Sequence, residues 1–246
     1  MTSPDGPTAV RPGTELVPEM PTQQGGLDRR TRIARAAAVA AASGPGVSSA
    51  AMLTSSGTGA ATTAGREVPV VDLNEVPPLD DPRARPSWLV FLWWVVQRLL
   101  VTNSLQPSSR LRARVLRLFG AEIGADVIIR PRVRVRFPWN LHVGDRCWIG
   151  EGVWISNRDL VILRSDVVLS QETFVTTGSH DRRHMGVVTA PVVVEDGAWV
   201  TTRCIVLRGV RIGRSCIVTP NTVIDRDVPP GAIYGAPRAS VIGERF

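Results

Sequence analysis

With 246 residues, 43% of them hydrophobic, the chain can hold one or two domains. Through Arg85 it carries 8 Arg against 9 Asp plus Glu, so the net charge of +7 divides as 8 − 9 = −1 before that point and 21 − 13 = +8 after it. A basic C-terminal part suits a polyanionic partner, such as a phosphate-bearing cofactor or a membrane surface, and the lack of an Arg-rich helix or aromatic-interleaved basic motif argues against nucleic acid.

Residues 1–85 are rich in Pro, Gly, Ala, Ser and Thr and hold no aromatic residue. Such a stretch cannot bury enough apolar surface to offset the entropy of ordering, and we expect a disordered low-complexity tail. Within it, "DRRTRIARAAAVAAASG" (28–44) has the paired Arg and apolar run of an export signal. Its apolar part is almost only Ala and starts far into the chain, which favours tail over signal.

Residues 86–120 read as a helical segment. "WLVFLWWVVQRLLV" (88–101) is too short, and too interrupted by Gln97 and Arg98, to span a bilayer. It is expected to pack on the rest of the domain, with a peripheral membrane contact through its Trp-rich face as the alternative. In "SSRLRARVLRLFG" (108–120), Leu111, Val115, Leu118 and Phe119 fall near one face and Arg on the other, and Gly120 ends the helix.

From about residue 121 the period becomes six. Val194, Val200, Val206, Ile212, Val218 and Ile224 recur without a break. Four residues after the first five of these stand Ala198, Cys204, Val210, Cys216 and Thr222, all small or β-branched. Neither a helix nor an alternating strand has this period. A hexad reads as a short strand plus a turn, three of which make one coil of a parallel β-helix whose aliphatics point inward. Cys147, Cys204 and Cys216 all occupy the small-residue slot, so reduced, buried thiols and a cytosolic setting are expected. Residues 130–136, "RPRVRVR", would put Val133 and Val135 inward and a row of Arg outward.

The rhythm fails once. After Val175 to Ser179, residues 181–191, "DRRHMGVVTAP", leave the pattern before Val194 resumes it, and two of the chain's three histidines stand here. A neutral imidazole, with an ordinary pKa near 6.5, suits proton transfer at neutral pH.

"LRLFGAEIG" (116–124), "PWNLHVGDRCWIGEGVWISN" (138–157), "TTGSHD" (176–181), "VVEDGAWV" (193–200), "GVRIG" (209–213) and "DRDVPPGAIYGAPRASVI" (225–242) together resemble the hexapeptide-repeat acyltransferases, in particular the colanic-acid-type O-acetyltransferases of bacterial polysaccharide synthesis. The resemblance implies a mainly β fold. A left-handed parallel β-helix over 121–246 would follow one or two helices and the N-terminal tail. It implies acetyl transfer from acetyl-CoA to a sugar hydroxyl of an exopolysaccharide precursor or other glycoconjugate, without a covalent intermediate or a metal. It also implies a homotrimer with active sites between subunits, in the cytoplasm or at the inner face of the membrane.

The catalytic base of the family maps onto His180. Asn157 matches an acceptor-orienting position, or else is a turn-forming Asn that ends a coil. Asp181 would orient His180 or cap the loop. The acetyl-CoA groove maps onto Thr201, Thr202, Pro220, Arg226 and, one residue out of register, Arg238. Three departures bear on that groove: Thr201-Thr202 replace small residues and would narrow it, Pro220 removes an N–H, and Asp225 stands beside Arg226. They leave open a non-catalytic β-helix scaffold. The histidine count leaves open a carbonic-anhydrase-like metal-dependent lyase using His142, His180 and His184, although His142 lies about two coils, or ~10 Å, from the others.

Overall fold

A computed structural model of the protein describes residues 70–78, 85–237 and 240–245. Most of the expected tail, and Arg238 with it, lies outside the described residues. Residues 70–78, inside the stretch expected to be disordered, hold one short 3-10 turn, Leu73–Glu75, capped by the Asp72 side chain.

The repeat builds a parallel β-helix of about six coils with three flat faces. The first face stacks Glu122–Ile123, Leu141–Val143, Val161–Leu163, Val192–Val194 and Arg211–Ile212. The second runs from Ile128–Ile129 through Trp148–Ile149, Val168–Leu169, Trp199–Val200 and Ile217–Val218 to Ile233–Tyr234. The third stacks Arg134–Val135, Trp154–Ser156, Phe174–Thr176, Ile205–Val206 and Val223–Ile224. All six hexad aliphatics from Val194 to Ile224 are fully buried, as are Ala198, Cys204 and Cys216 in the slot before each strand. Val133 and Val135 point inward while Arg130, Arg132, Arg134 and Arg136 stand outside. Burial holds the Cys147 thiol up at about 11, so it is a packing group and not a nucleophile.

The corners explain the glycines. A Cβ on Gly144 would sit 2.6 Å from Ser165 N in the next coil, and one on Gly213 would sit 2.6 Å from Pro230 N. Coil spacing therefore admits only hydrogen there.

An open end of a β-helix presents unpaired backbone groups. Two helices close the first coil: α1, Ser87–Val96, continued by a wider π turn over Gln97–Val101, and α2, Ser109–Leu118. Trp93 Nε1 donates to Val135 O at 2.9 Å, and Gln97 Oε1 accepts from Val135 N at 2.6 Å. Ser109 Oγ accepts from Ile129 N at 2.8 Å, and Arg117 Nε donates to Ile123 O at 3.0 Å.

The expected apolar face of α2 holds at Leu111, Val115 and Phe119, and departs at two residues. Arg112, expected outside, is buried and donates to Val101 O at 3.0 Å as well as to the Asn103 and Gln106 carbonyls. Leu118, expected inside, is 82% exposed. The Trp-rich segment packs on the domain through Trp93 and Val101, with Val96 and Leu100 partly buried beside them, while its other large side chains stay outside.

Gly144→Ala should destabilise the fold by about 1–3 kcal/mol through overpacking at the corner. Equilibrium denaturant unfolding measures it. An unchanged midpoint would mean that the coils are not held at this spacing.

Candidate active site

The break in the hexad becomes a hairpin. Gly178–His180 pairs antiparallel with Val187–Thr189, with His180 opposite Val187, and projects from the edge between the third and first faces. Residues 181–186 close it tightly: Asp181 N donates to Gly186 O at 2.8 Å, and Met185 N to Asp181 O at 3.0 Å.

The His180 ring is exposed, and its Nδ1 lies 2.7 Å from the Met185 carbonyl oxygen. A carbonyl only accepts, so Nδ1 carries the proton and Nε2 is left with a free lone pair. That is the tautomer a general base needs. Met185 holds the carbonyl in place from a left-handed backbone conformation, φ +56°, which a residue with a Cβ adopts at a cost of about 1 kcal/mol or more. Gly186 follows, where a Cβ would meet the His184 ring at 2.8 Å.

The other expected catalytic residues do other work. Asp181 accepts from the backbone N–H of Arg183 at 2.8 Å and of His184 at 3.3 Å, and it pairs with the His184 ring. The backbone bond from Arg183 is the main reason its carboxyl sits below the usual range. It caps the loop and does not orient His180; Met185 O orients the ring. Asn157 is fully buried, with Oδ1 accepting from Phe137 N at 3.0 Å and Nδ2 donating to Phe137 O at 2.7 Å. Both ends of its amide are engaged by backbone, so it closes a coil corner instead of meeting an acceptor.

The groove residues also divide. Thr201 is buried and its hydroxyl donates to Val218 O at 2.6 Å, so it joins two coils and does not narrow an outer groove. Thr202 and Pro220 sit in adjacent coils on the edge between the second and third faces, with Thr202 Oγ1 3.3 Å from Gln171 Oε1 and Pro220 exposed. The N–H missing at Pro220 is bypassed, because Asn221 N reaches Thr202 O at 3.1 Å. Arg226 is held by Asp225 at 2.9 Å, which raises the guanidinium above its usual value and lowers the carboxyl. Within one chain, His180 stands on one edge of the third face and the Thr202–Pro220 pair on the other.

His142 lies on the first face with its Nδ1 3.1 Å from a Glu122 carboxylate oxygen, away from the hairpin that carries His180 and His184. Among the described residues no group of three His, Cys, Asp or Glu side chains converges where an ion could sit. Within one chain, therefore, the three histidines do not come together as the ligand set that a carbonic-anhydrase-like lyase would need.

No family model matches the chain. The "Putative colanic acid biosynthesis acetyltransferase WcaF" of Escherichia coli K12 is 36% identical over 158 residues, which cover 63% of this chain and 87% of that protein. The chain belongs to the hexapeptide-repeat acetyltransferase family. It is by that membership an acyltransferase. The galactoside O-acetyltransferase of Lactococcus lactis is 24% identical over 160 residues, 59% of this chain and 76% of that one. Among solved structures, the hexapeptide-repeat-containing acetyltransferase VCA0836 of Vibrio cholerae, complexed with acetyl coenzyme A, superposes with a TM-score of 0.59. At 22% identity, over 65% of this chain and 88% of that one, it shows the shared fold.

For this acyltransferase, 15N NMR of histidine-labelled protein at neutral pH should show that the imidazole signal lost in His180→Ala is protonated at Nδ1 and bare at Nε2. A lost signal protonated at Nε2 and bare at Nδ1 would contradict the hydrogen bond to Met185.

Proposed function

We propose that this protein transfers an acetyl group from acetyl-CoA to a sugar hydroxyl of an exopolysaccharide precursor or similar glycoconjugate, in the cytoplasm, with His180 as general base. The single observation that carries the reading is the bond from His180 Nδ1–H to Met185 O, which leaves Nε2 open on an exposed hairpin. The named activities of the WcaF and galactoside acetyltransferase relatives supply the acceptor class.

His180 Nε2 accepts the proton as the sugar oxygen attacks the thioester carbonyl, and it returns that proton to the departing sulfur. No protein nucleophile is required, and the three cysteines, all buried, offer none. Thr202 and Pro220 would flank the pantetheine arm. Arg226 is engaged by Asp225, so it would reach a nucleotide phosphate only by leaving that carboxylate.

A second chain would complete the site. The outer side of the second face carries the apolar ladder Ile128, Trp148, Val168, Trp199, Ile217 and Ile233, and that of the third carries Trp154, Phe174, Ile205 and Val223. Most of these side chains are exposed, Trp148 by 57%. Two different apolar faces fit a head-to-tail contact that closes into a ring, here a trimer.

The test is CoA release measured with acetyl-CoA and a panel of sugar acceptors, wild type beside His180→Ala. The substitution should lower kcat by roughly 10²–10⁴-fold with the fold intact by circular dichroism. Equal rates would remove His180 from the mechanism. An absence of CoA release from the wild type with every sugar would favour the scaffold reading that the groove departures left open.

A further inference from the structure

The acetyl-transfer reading makes no use of the outer surface of α1. On a helical wheel the segment has two apolar arcs. The inner arc, with Trp93, Gln97 and Val101, is fixed to the first coil by the Trp93 and Gln97 bonds to Val135. The rest of the segment leaves Trp88, Phe91, Leu92, Trp94 and Leu99 exposed by 42–66%. Phe91 and Trp94 stack on each other with ring centroids 6.4 Å apart, and both are largely exposed. Leu105, in the connection to α2, is 91% exposed.

We infer that this exposed surface docks the N-terminal end of the prism on an anionic lipid bilayer. Charge selects that occupant. Residues 85–118 contain six Arg (85, 98, 110, 112, 114 and 117) and no Asp or Glu. Only Arg112 of the six is buried. Arg98 shares a groove of about 420 Å³ with Arg132 and Arg134 beside Trp154, and the single carboxylate there is Glu172. Among the described residues neither Arg98 nor Arg134 has a carboxylate partner, and Arg134 lies over the Trp154 ring at 4.4 Å. Tryptophan and phenylalanine suit the headgroup boundary, and unpaired guanidinium groups beside them suit anionic phosphates.

The exposed aromatic residues of α1 are not among the apolar ladders of the second and third faces, whereas the Arg98 groove borders Trp154 and Phe174 of the third-face ladder. No described helix is long and apolar enough to cross a membrane, so α1 would lie along the surface. The proposal does not depend on the acyl acceptor or on His180.

The experiment is flotation of the purified full-length protein with phosphatidylcholine vesicles and with vesicles containing phosphatidylglycerol, at low and at high salt. The wild type should float with the anionic vesicles and do so less at 1 M salt, where the screening length falls to about 3 Å. The double variant Phe91→Ser, Trp94→Ser should float roughly tenfold less or worse, with an unchanged thermal midpoint, because both side chains are exposed. Arg98→Glu is a second variant that leaves the aromatics in place and should also weaken flotation. A wild type that ignores both kinds of vesicle would overturn the proposal. So would variants that float as well as the wild type. A wild type that ignores vesicles but has a larger solution mass than the double variant would assign the exposed surface to a second copy of the chain instead.

Discussion

The parallel backbone ladder from one coil to the next is the constraint from which the rest follows. Each strand is only two or three residues long, so no strand is stable alone; it exists because the coils above and below pair with it. The ladder fixes the coil spacing, and the spacing fixes the side chains. Aliphatics such as Val200 and Val218 can fill the interior column, the slot before each strand must be small, and Gly144 and Gly213 admit no Cβ. It also makes every interruption conspicuous. A stack this regular can expel residues only at a corner, and the hairpin that carries His180 leaves at one.

A stacked ladder has ends. At the N-terminal end the protein covers the edge of the first coil with side chains instead of another strand, and this decides the character of both helices. Trp93 and Gln97 serve Val135, and Ser109 and Arg117 serve Ile129 and Ile123. The cost of capping with α1 is that its other aromatic side chains are left outside. A helix that must offer a donor and an acceptor on one side and is apolar nearly all round has no polar face to turn to water. The same segment therefore both closes the fold and exposes an apolar surface.

The coil architecture was readable from the hexads alone, because an interior column tolerates little variation and the unbroken run from Val194 to Ile224 reports it directly. The position of the hairpin was readable from where the hexads stop, whereas the role proposed for His180 comes from the resemblance. Polar side chains that satisfy backbone were not readable. Asn157 and Thr201 belong to residue types that serve substrates and coil corners equally well, and only the partners Phe137 and Val218 decide. Arg112 was placed outside because a helical wheel knows nothing of unpaired carbonyls on a neighbouring strand edge. Met185 was missed altogether. Its contribution is a carbonyl oxygen, which every residue has, and its left-handed backbone leaves no mark in a side chain of that type.

What joins fold to chemistry is the split of the site across two edges of the third face. His180 is on one edge and the Thr202–Pro220 pair on the other, so within one chain the two do not meet, and the proposed centre would need a second chain. The ring orientation set by Met185 is useful only if a thioester arrives on the Nε2 side. A crystal structure of the protein with CoA bound tests this most directly. It should show the CoA sulfur within about 3–4 Å of His180 Nε2, Nδ1 still on the Met185 carbonyl, and the pantetheine arm along the Thr202–Pro220 edge of a neighbouring copy. A CoA lying wholly within one chain, or with its sulfur far from a His180 ring whose Nε2 faces away, would contradict the account.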